Sequence, residues 1–361
     1  MRKGFILSLF IISSILFSAC TPGEQIETEL TKYSDTIFSM HAAINIQIYT
    51  KTRNQFNEYV SDIEIIYETY DTLTDNYQSD SDLEALNIYD INQIVNAVDA
   101  EAQTTLEISL ELYELLEFGL EIEAMTDGYF NMSMGYLVDL WKELLEDYEH
   151  GEIVPDNVLD ATMEAALAYQ FIEDPVALET VDGKYQLTMK KGAKLDLGAL
   201  AKGYATQKAG DYLEDNDVKY YLINGGSSSI VMGEKPTVET GLFKIGLQHP
   251  LLYPQSTYYG LFNLKNVSIT TSGSYEQYVT DSEGNWITHI ISPMTRRPAD
   301  EYYTLTLIGE DAGLLDGLST ALFCMDIETL NDFLEDYDIE AIGFDINEET
   351  IRVNPTERLE D

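Results

Sequence analysis

The chain has 361 residues, and its 64 acidic and 20 basic side chains give a formal net charge of −44 at pH 7. This balance excludes nucleic-acid binding through a basic surface and adsorption to anionic lipid by charge, because both need clustered lysine and arginine. Hydrophobic residues make up 45% of the chain, which is too many for a disordered protein and suits one large domain or two ordinary ones.

The first twenty residues have the pattern of an export signal. Arg2 and Lys3 precede an apolar run that is too short to span a bilayer comfortably, and small residues then lead to Cys20. This arrangement resembles a bacterial lipobox, so we expect lipidation of Cys20 and a lipid-anchored protein on the extracytoplasmic face of the cell membrane. An ordinary signal peptide with an incidental cysteine is the alternative. The predicted organisation is a signal peptide at 1–19, a lipidated N-terminus and tether at 20–36, and one folded domain at 37–361.

Hydrophobic periodicity predicts a chain that mixes strands and helices. Isoleucines alternate with polar residues over 42–49, which predicts a half-buried strand, and apolar residues at helical spacing predict a helix over 103–125. A capped short turn is expected over Ser81–Asn87. The other predicted helices are 55–76, 200–214, 313–325 and 327–335, and the other predicted strands are 185–190, 219–223, 241–248, 303–309 and 339–344. With no internal repeat and no proline-rich linker, the fold class is α+β, a single compact domain in one lobe or two.

The first of four segments whose residues are candidates for ligand binding or catalysis runs from Asp196 to Tyr204. An extended run ending at Leu197 meets Gly198 and then a predicted helix, and helix N-termini present free N–H groups to anions. Lys202 falls in the first helical turn, where the helix dipole disfavours a cation. A role as a phosphate ligand explains this placement, and a solvated surface lysine is the alternative.

Two further segments are rich in glycine and hydroxyl groups. Asn224–Ser229 follows a predicted strand and could cradle a phosphate or a sugar, or it could be a plain tight turn. Thr270–Tyr275 is followed by Thr288–Pro293, which contains His289. A single histidine is more often structural than catalytic, but its hydroxyl neighbours make His289 a candidate for proton transfer.

The fourth segment is Asp316–Thr320, at the expected start of a helix. Positions i and i+4 share a helical face, so the Asp316 carboxylate and the Thr320 hydroxyl could reach one ion. Hard oxygen ligands of this kind suit Mg²⁺, which often shares phosphates of the substrate. The alternative is an aspartate that only caps the helix.

Together, in this order and spacing, the segments resemble the FAD:protein FMN transferase (ApbE-like) family. The resemblance extends from Ile37 to Phe344 and includes Phe38-Ser39-Met40, Gly128-Tyr129-Phe130-Asn131 and Leu140-Trp141. It departs from the family pattern at Asn131, where aspartate is usual, at Ser292, where aspartate is usual, and at Thr295-Arg296-Arg297-Pro298, where Thr-Gly-Arg-Pro is usual.

The resemblance implies a site for FAD and Mg²⁺. The implied FAD-binding residues are Met40, Tyr77, Tyr129, Phe130, Asn131, Asp196, Lys202 and Ile290. The implied metal ligands are the Ala199 carbonyl and the Asp316 and Thr320 side chains, with Ser319 adjacent.

The activity implied by the resemblance is transfer of FMN from FAD to a serine or threonine hydroxyl of a protein, with release of AMP. His289 or a carboxylate such as Asp316 would take the proton of the attacking hydroxyl. The chain lacks the family's acceptor signature of Asp followed by Ser/Thr-Gly-Ala-Ser/Thr, so the expected partner is another exported protein. Hydrolysis of FAD to FMN and AMP, and flavin binding without catalysis, are the alternatives.

Overall fold

The computed structural model describes residues 30–79, 85–226, 228–236, 240–253, 255 and 257–355. The helices are α1 (Arg53–Thr74), α2 (Ile88–Asn96), α3 (Leu110–Met125), α4 (Gly135–Glu146), α5 (Asp156–Ala168), α6 (Ala201–Asp215), α7 (Ala312–Phe323) and α8 (Ile327–Leu334). The strands are β1 (Thr31–Ser39), β2 (Ala42–Thr50), β3 (Gln103–Ile108), β4 (Val176–Val181), β5 (Lys184–Lys190), β6 (Tyr221–Gly225), β7 (Ser229–Met232), β8 (Phe243–Gln248), β9 (Tyr258–Leu264), β10 (Val267–Gly273), β11 (Tyr278–Thr280), β12 (Trp286–Thr288), β13 (Ile291–Ser292), β14 (Arg297–Pro298), β15 (Tyr302–Gly309), β16 (Glu340–Asp345) and β17 (Thr350–Val353).

The largest element is an eight-stranded antiparallel sheet in the order β1-β2-β6-β7-β10-β15-β16-β17. A two-residue turn joins β1 to β2, and both of its residues, Met40 and His41, have positive φ angles of 51° and 58°. Two positive φ angles define the type I′ turn, whose twist matches that of the flanking strands. The turn therefore fixes the register of the first hairpin.

The two faces of the sheet are covered differently. Helices α1, α6 and α7 pack on one face and form the main core with residues such as Leu307. The neighbouring Ile308 points the other way and joins a second core beneath the β8–β9 hairpin, as the period-two alternation of a strand requires. Both faces of the central strands are thus buried.

A third core lies beside the sheet, among α4, α5 and the β11–β12 hairpin. Trp141 and Leu137 of α4 are almost fully buried in it. The molecule is therefore an α+β fold, as predicted, and the α4–α5 unit adds a second wall next to the main layer of helices.

Three sequence predictions need correction. Residues 31–36, assigned to the tether, belong to β1 and pair with β2 along its whole length. The helix predicted over 103–125 is the strand β3 followed by α3, because Ser109 caps α3 by accepting a hydrogen bond from the Leu112 N–H at 3.2 Å. The extended run before Gly198 forms only an isolated bridge at Lys194.

Some predictions fall outside the described residues, namely the signal peptide, Cys20 and most of the Ser81–Asn87 turn. Asn87 itself is described and caps α2 by accepting a hydrogen bond from the Asp90 N–H at 3.0 Å. Among the described residues, no helix combines the length and the apolar character that crossing a bilayer would require.

Candidate functional site

A cavity of about 390 Å³ opens between α4 on one side and α6, α7 and the end of β10 on the other. All four segments selected from the sequence reach it, although more than 100 residues separate the first from the last. Its volume lies within the usual range for small-molecule sites. The predicted site residues that line it are Tyr77, Asp196, Ala199, Lys202, His289, Ile290, Asp316 and Thr320.

Five predicted site residues do not line the cavity: Met40, Tyr129, Phe130, Asn131 and Ser319. Met40 is buried in the β1–β2 turn, where its N–H donates to Asp71 at 2.7 Å. Asn131 accepts hydrogen bonds from both the N–H and the hydroxyl of Ser133 at 2.9 Å. The predicted contacts of these residues with FAD therefore stay predictions.

Ser319 is fully buried on a different side of α7 from Thr320. Its hydroxyl lies 2.8 Å from that of Ser272 and donates to the Asp316 carbonyl at 3.0 Å. Successive helical residues point about 100° apart, so Thr320 faces the cavity while Ser319 faces the sheet. The Ser319 hydroxyl is therefore not one of the groups that line the cavity, unlike the Asp316 and Thr320 side chains.

The turn before α6 orients the first predicted segment. The Asp196 carboxylate accepts hydrogen bonds from the Gly198 N–H at 2.9 Å and from the Asn76 amide at 3.4 Å. Leu200 precedes α6, so Lys202 is the second residue of the helix and lies in its first turn, as the sequence predicted. Lys202 lines the cavity close to the helix N-terminus, where anions are favoured.

Asp316 lies in the middle of α7 and not at its start. Asp311 caps the helix instead, by accepting a hydrogen bond from the Leu314 N–H at 2.9 Å. Asp316 accepts from the Gly203 N–H at 2.7 Å and from the Ser229 hydroxyl at 3.4 Å. Burial raises the pKa of Asp316 to about 6, although both donors and the nearby Lys202 act in the opposite direction.

Gly203 makes the approach of α6 to α7 possible. A Cβ atom on Gly203 would lie 2.3 Å from the Asp316 Cβ and 2.4 Å from the Ala312 carbonyl oxygen. No side chain fits in that space, so only glycine lets the α6 backbone donate to the Asp316 carboxylate.

The residues at this end of the cavity fit a magnesium ion. Asp316 and Thr320 lie one turn apart on α7 and both line the cavity, as does Ala199 across from them. Carboxylate, hydroxyl and carbonyl oxygens are the ligands that Mg²⁺ prefers. A buried carboxylate whose charge is only partly compensated is also stabilised by a bound cation.

His289 faces the cavity with an accessible side chain that is surrounded by protein at longer range. The surrounding protein keeps much of the solvent away from the imidazole, and this desolvation lowers the pKa of His289. The charge of Lys202 lowers the pKa further, while a hydrogen bond with the Gln277 backbone opposes the shift. A neutral imidazole at pH 7 can accept a proton, which is what a general base requires.

The sequence analysis missed the apolar wall of the cavity. The wall is formed by Val138, Trp141 and Leu145 of α4 and by Met134, which precedes the helix, with spacings of four, three and four residues that define one helical face. The Trp141 indole N–H donates to the Arg296 carbonyl at 3.0 Å, which helps to fix the buried ring of Trp141 where it lines the cavity. Helical spacing could have revealed this face, but it does not distinguish a cavity wall from a core.

Comparisons with known proteins show which family the chain belongs to. The sequence model of the ApbE family matches residues 40–343. The FAD:protein FMN transferase of Klebsiella pneumoniae is 30% identical over 268 residues, which cover 73% of this chain and 78% of that protein. The enzyme of the same name from Haemophilus influenzae is 22% identical, with coverages of 73% and 71%.

Solved structures show the same fold. The ApbE protein of Thermotoga maritima superposes with a TM-score of 0.71 and 22% identity, over 90% of this chain and 97% of that one. The flavin transferase ApbE of Vibrio cholerae gives a TM-score of 0.68 at 19% identity, with coverages of 90% and 98%. With the family model matched over most of its length, the chain belongs to the ApbE family.

Proposed function

We propose that this protein transfers the FMN part of FAD to a serine or threonine hydroxyl of an exported acceptor protein, with Mg²⁺ bound, and releases AMP. Its main support is the division of one cavity into two parts. One is an apolar wall, formed by Met134, Val138, Trp141 and Leu145, and the other is a polar floor, formed by Asp196, Ala199, Lys202, His289, Asp316 and Thr320. FAD has the same division, since planar rings are joined to a pyrophosphate. The named activity of the relatives from two organisms points the same way.

Each residue of the polar floor has a task in this reaction. Lys202 pairs with a phosphate oxygen, and His289 takes the proton of the acceptor hydroxyl as the oxygen attacks the FMN-side phosphorus. The bond to the AMP-side oxygen then breaks and AMP leaves. A magnesium ion held by Asp316, Thr320 and the Ala199 carbonyl would stabilise the charge that develops on the phosphate oxygens.

The products of one incubation test this function. The mature protein is mixed with FAD, Mg²⁺ and a candidate acceptor, and the acceptor is then analysed by intact mass. We expect an FMN adduct on the acceptor and an equal amount of AMP. Free FMN with AMP and no adduct would mean that the enzyme is a hydrolase, and unchanged FAD would mean that it only binds flavin.

The proposed location is the extracytoplasmic face of the cell membrane, through a lipid on Cys20. Its support is the signal-like segment that ends at this cysteine. Cys20→Ser should abolish incorporation of labelled fatty acid and leave the flavin transfer activity of the soluble protein unchanged. Equal labelling of the variant would contradict the role of Cys20.

A further inference from the structure

Lys142 is a second lysine at the cavity, and neither the sequence motifs nor the polar floor account for it. It lies on α4 and lines the cavity together with Tyr77, which comes from the loop after α1. The Lys142 ammonium is 4.0 Å from the centre of the Tyr77 ring and donates a hydrogen bond to the Tyr77 hydroxyl. One side chain therefore joins two elements that are 65 residues apart in the chain.

The environment of Lys142 favours its charged form. Burial alone would lower the pKa of Lys142, but the Tyr77 hydroxyl and the carboxylates of Glu146 and Asp196 outweigh it and raise the pKa above the usual lysine value. Glu146 lies one turn further along α4, with its carboxylate 3.7 Å from the ammonium. Lys142 is thus a cation that stays beside the tyrosine ring.

The Tyr77 ring remains available for a ligand despite this contact. Tyr77 is 56% exposed even though the Lys142 ammonium contacts its ring and donates to its hydroxyl. A planar aromatic ligand gains most from a tyrosine whose orientation is already fixed, because less conformational entropy is then lost on binding.

We propose that Lys142 is a positioning residue for the flavin ring. It holds the Tyr77 side chain at the cavity, so that the phenol ring of Tyr77 stacks on the isoalloxazine ring. This inference rests on the proposed function, since it requires the ring end of FAD to occupy this part of the cavity. It assigns the two cavity lysines to different parts of one ligand: Lys202 to the phosphates and Lys142, through Tyr77, to the ring.

The test measures the affinities of FAD, riboflavin and ADP for the parent protein and for two variants of Lys142. Lys142→Met keeps the length and the apolar stem of the side chain but removes the charge and the donor, whereas Lys142→Arg keeps a cation that can stack on tyrosine. We expect Lys142→Met to lower the affinities for FAD and riboflavin by about threefold to thirtyfold and to leave the affinity for ADP unchanged. Lys142→Arg should restore most of the affinity for FAD and riboflavin.

A spectroscopic readout separates positioning from a general loss of structure. Stacking on tyrosine quenches flavin fluorescence, so bound riboflavin should be brighter in Lys142→Met than in the parent and in Lys142→Arg. Lys208→Met is the matched control, because the Lys208 ammonium lies 5.1 Å from the Tyr204 ring and 3.8 Å from Glu114 but does not line the cavity. The control should leave affinity and fluorescence unchanged.

The possible failures are distinguishable. If the parent protein binds no FAD, the proposed function fails. If the parent binds FAD but Lys142→Met leaves riboflavin affinity and fluorescence unaltered, or weakens ADP as much as riboflavin, then only the role of Lys142 is wrong.

Discussion

The polar floor and the apolar wall of the cavity hold their functional groups by different means. On the floor, backbone geometry fixes the site: the Gly203 N–H holds the Asp316 carboxylate at 2.7 Å in a gap that no side chain could share. On the wall, Val138 and Trp141 are held by ordinary packing of α4 against its own core. We therefore expect substitutions on the floor to be severe and specific to the phosphates, and substitutions on the wall to be mild and specific to the ring.

The largest effect should follow Asp316→Asn. The variant keeps the size of the side chain but removes the charge that attracts the metal, and metal stabilisation of a transition state contributes several kcal/mol. Flavin transfer measured with saturating Mg²⁺ should fall by about a thousandfold or more. Asp311→Asn on the same helix is the control, because asparagine caps a helix as well as aspartate does and Asp311 is outside the cavity. Equal turnover by the parent and by Asp316→Asn would mean that Asp316 is not a ligand of the catalytic metal.

Gly203→Ala should break the floor without altering any polar side chain. The added methyl group would force α6 away from α7, and overpacking of this kind costs about 1–3 kcal/mol of unfolding free energy. Gly210→Ala, also on α6, is the control: its Cβ would approach Val231 at 3.1 Å, and alanine favours the helix. Thermal unfolding with and without Mg²⁺ should show a lower melting temperature for Gly203→Ala, and the response of the melting temperature to the metal should become smaller in Gly203→Ala but not in Gly210→Ala. A metal response equal to that of the parent would mean that the Gly203 contact does not position Asp316.

The same contrast explains how much of the molecule could be predicted. Helix α1 follows from apolar periodicity, because Phe56, Val60, Ile63 and Tyr67 are buried along one of its faces. The 103–125 prediction failed because Leu106 continues the helical spacing of α3 by chance, whereas Thr105 pairs across β3 and β5 with Thr188, their hydroxyls 2.8 Å apart. Strand pairing depends on a partner more than 80 residues away, which local periodicity cannot reveal.

For the site, the sequence predicted the floor better than the wall. Asp196, Lys202 and Asp316 belong to short motifs of glycine and polar residues, which are uncommon in plain cores. The wall residues of α4 are apolar at helical spacing, as any buried helix face would be. The position of Asp316 in mid-helix was missed because Asp311 supplies the cap five residues earlier.

Lys202→Ala should separate the two ends of the ligand. Loss of a charge-assisted contact costs about 1.5–3 kcal/mol, so affinities for FAD and ADP should fall together by about tenfold to a hundredfold. Riboflavin, which has no phosphate, should bind as before. Titration of the three ligands decides between this role and a solvated surface lysine, for which no affinity would change.

The same variant should also change the pKa of His289. The charge of Lys202 lowers that pKa, so its removal should raise it, and the acid limb of the pH–rate profile at saturating Mg²⁺ should move to higher pH. Lys208→Ala, outside the cavity, should leave the limb in place. An acid limb that does not move in Lys202→Ala would mean that another group takes the proton of the acceptor hydroxyl.

The smallest effect should come from the wall, with Val138→Ala. The substitution removes two methyl groups from the cavity surface while favouring the helix, and partial loss of this apolar contact costs about 1 kcal/mol. The affinities for FAD and riboflavin should therefore fall by about fivefold, and the affinity for ADP should equal that of the parent protein. Val158→Ala on α5 removes the same groups from the same core without touching the cavity, so it controls for loosening of the α4–α5 unit. If Val138→Ala weakened ADP as much as riboflavin, the wall and the floor would not be separate subsites, because a methyl group on α4 would then act on the phosphates as well as on the ring.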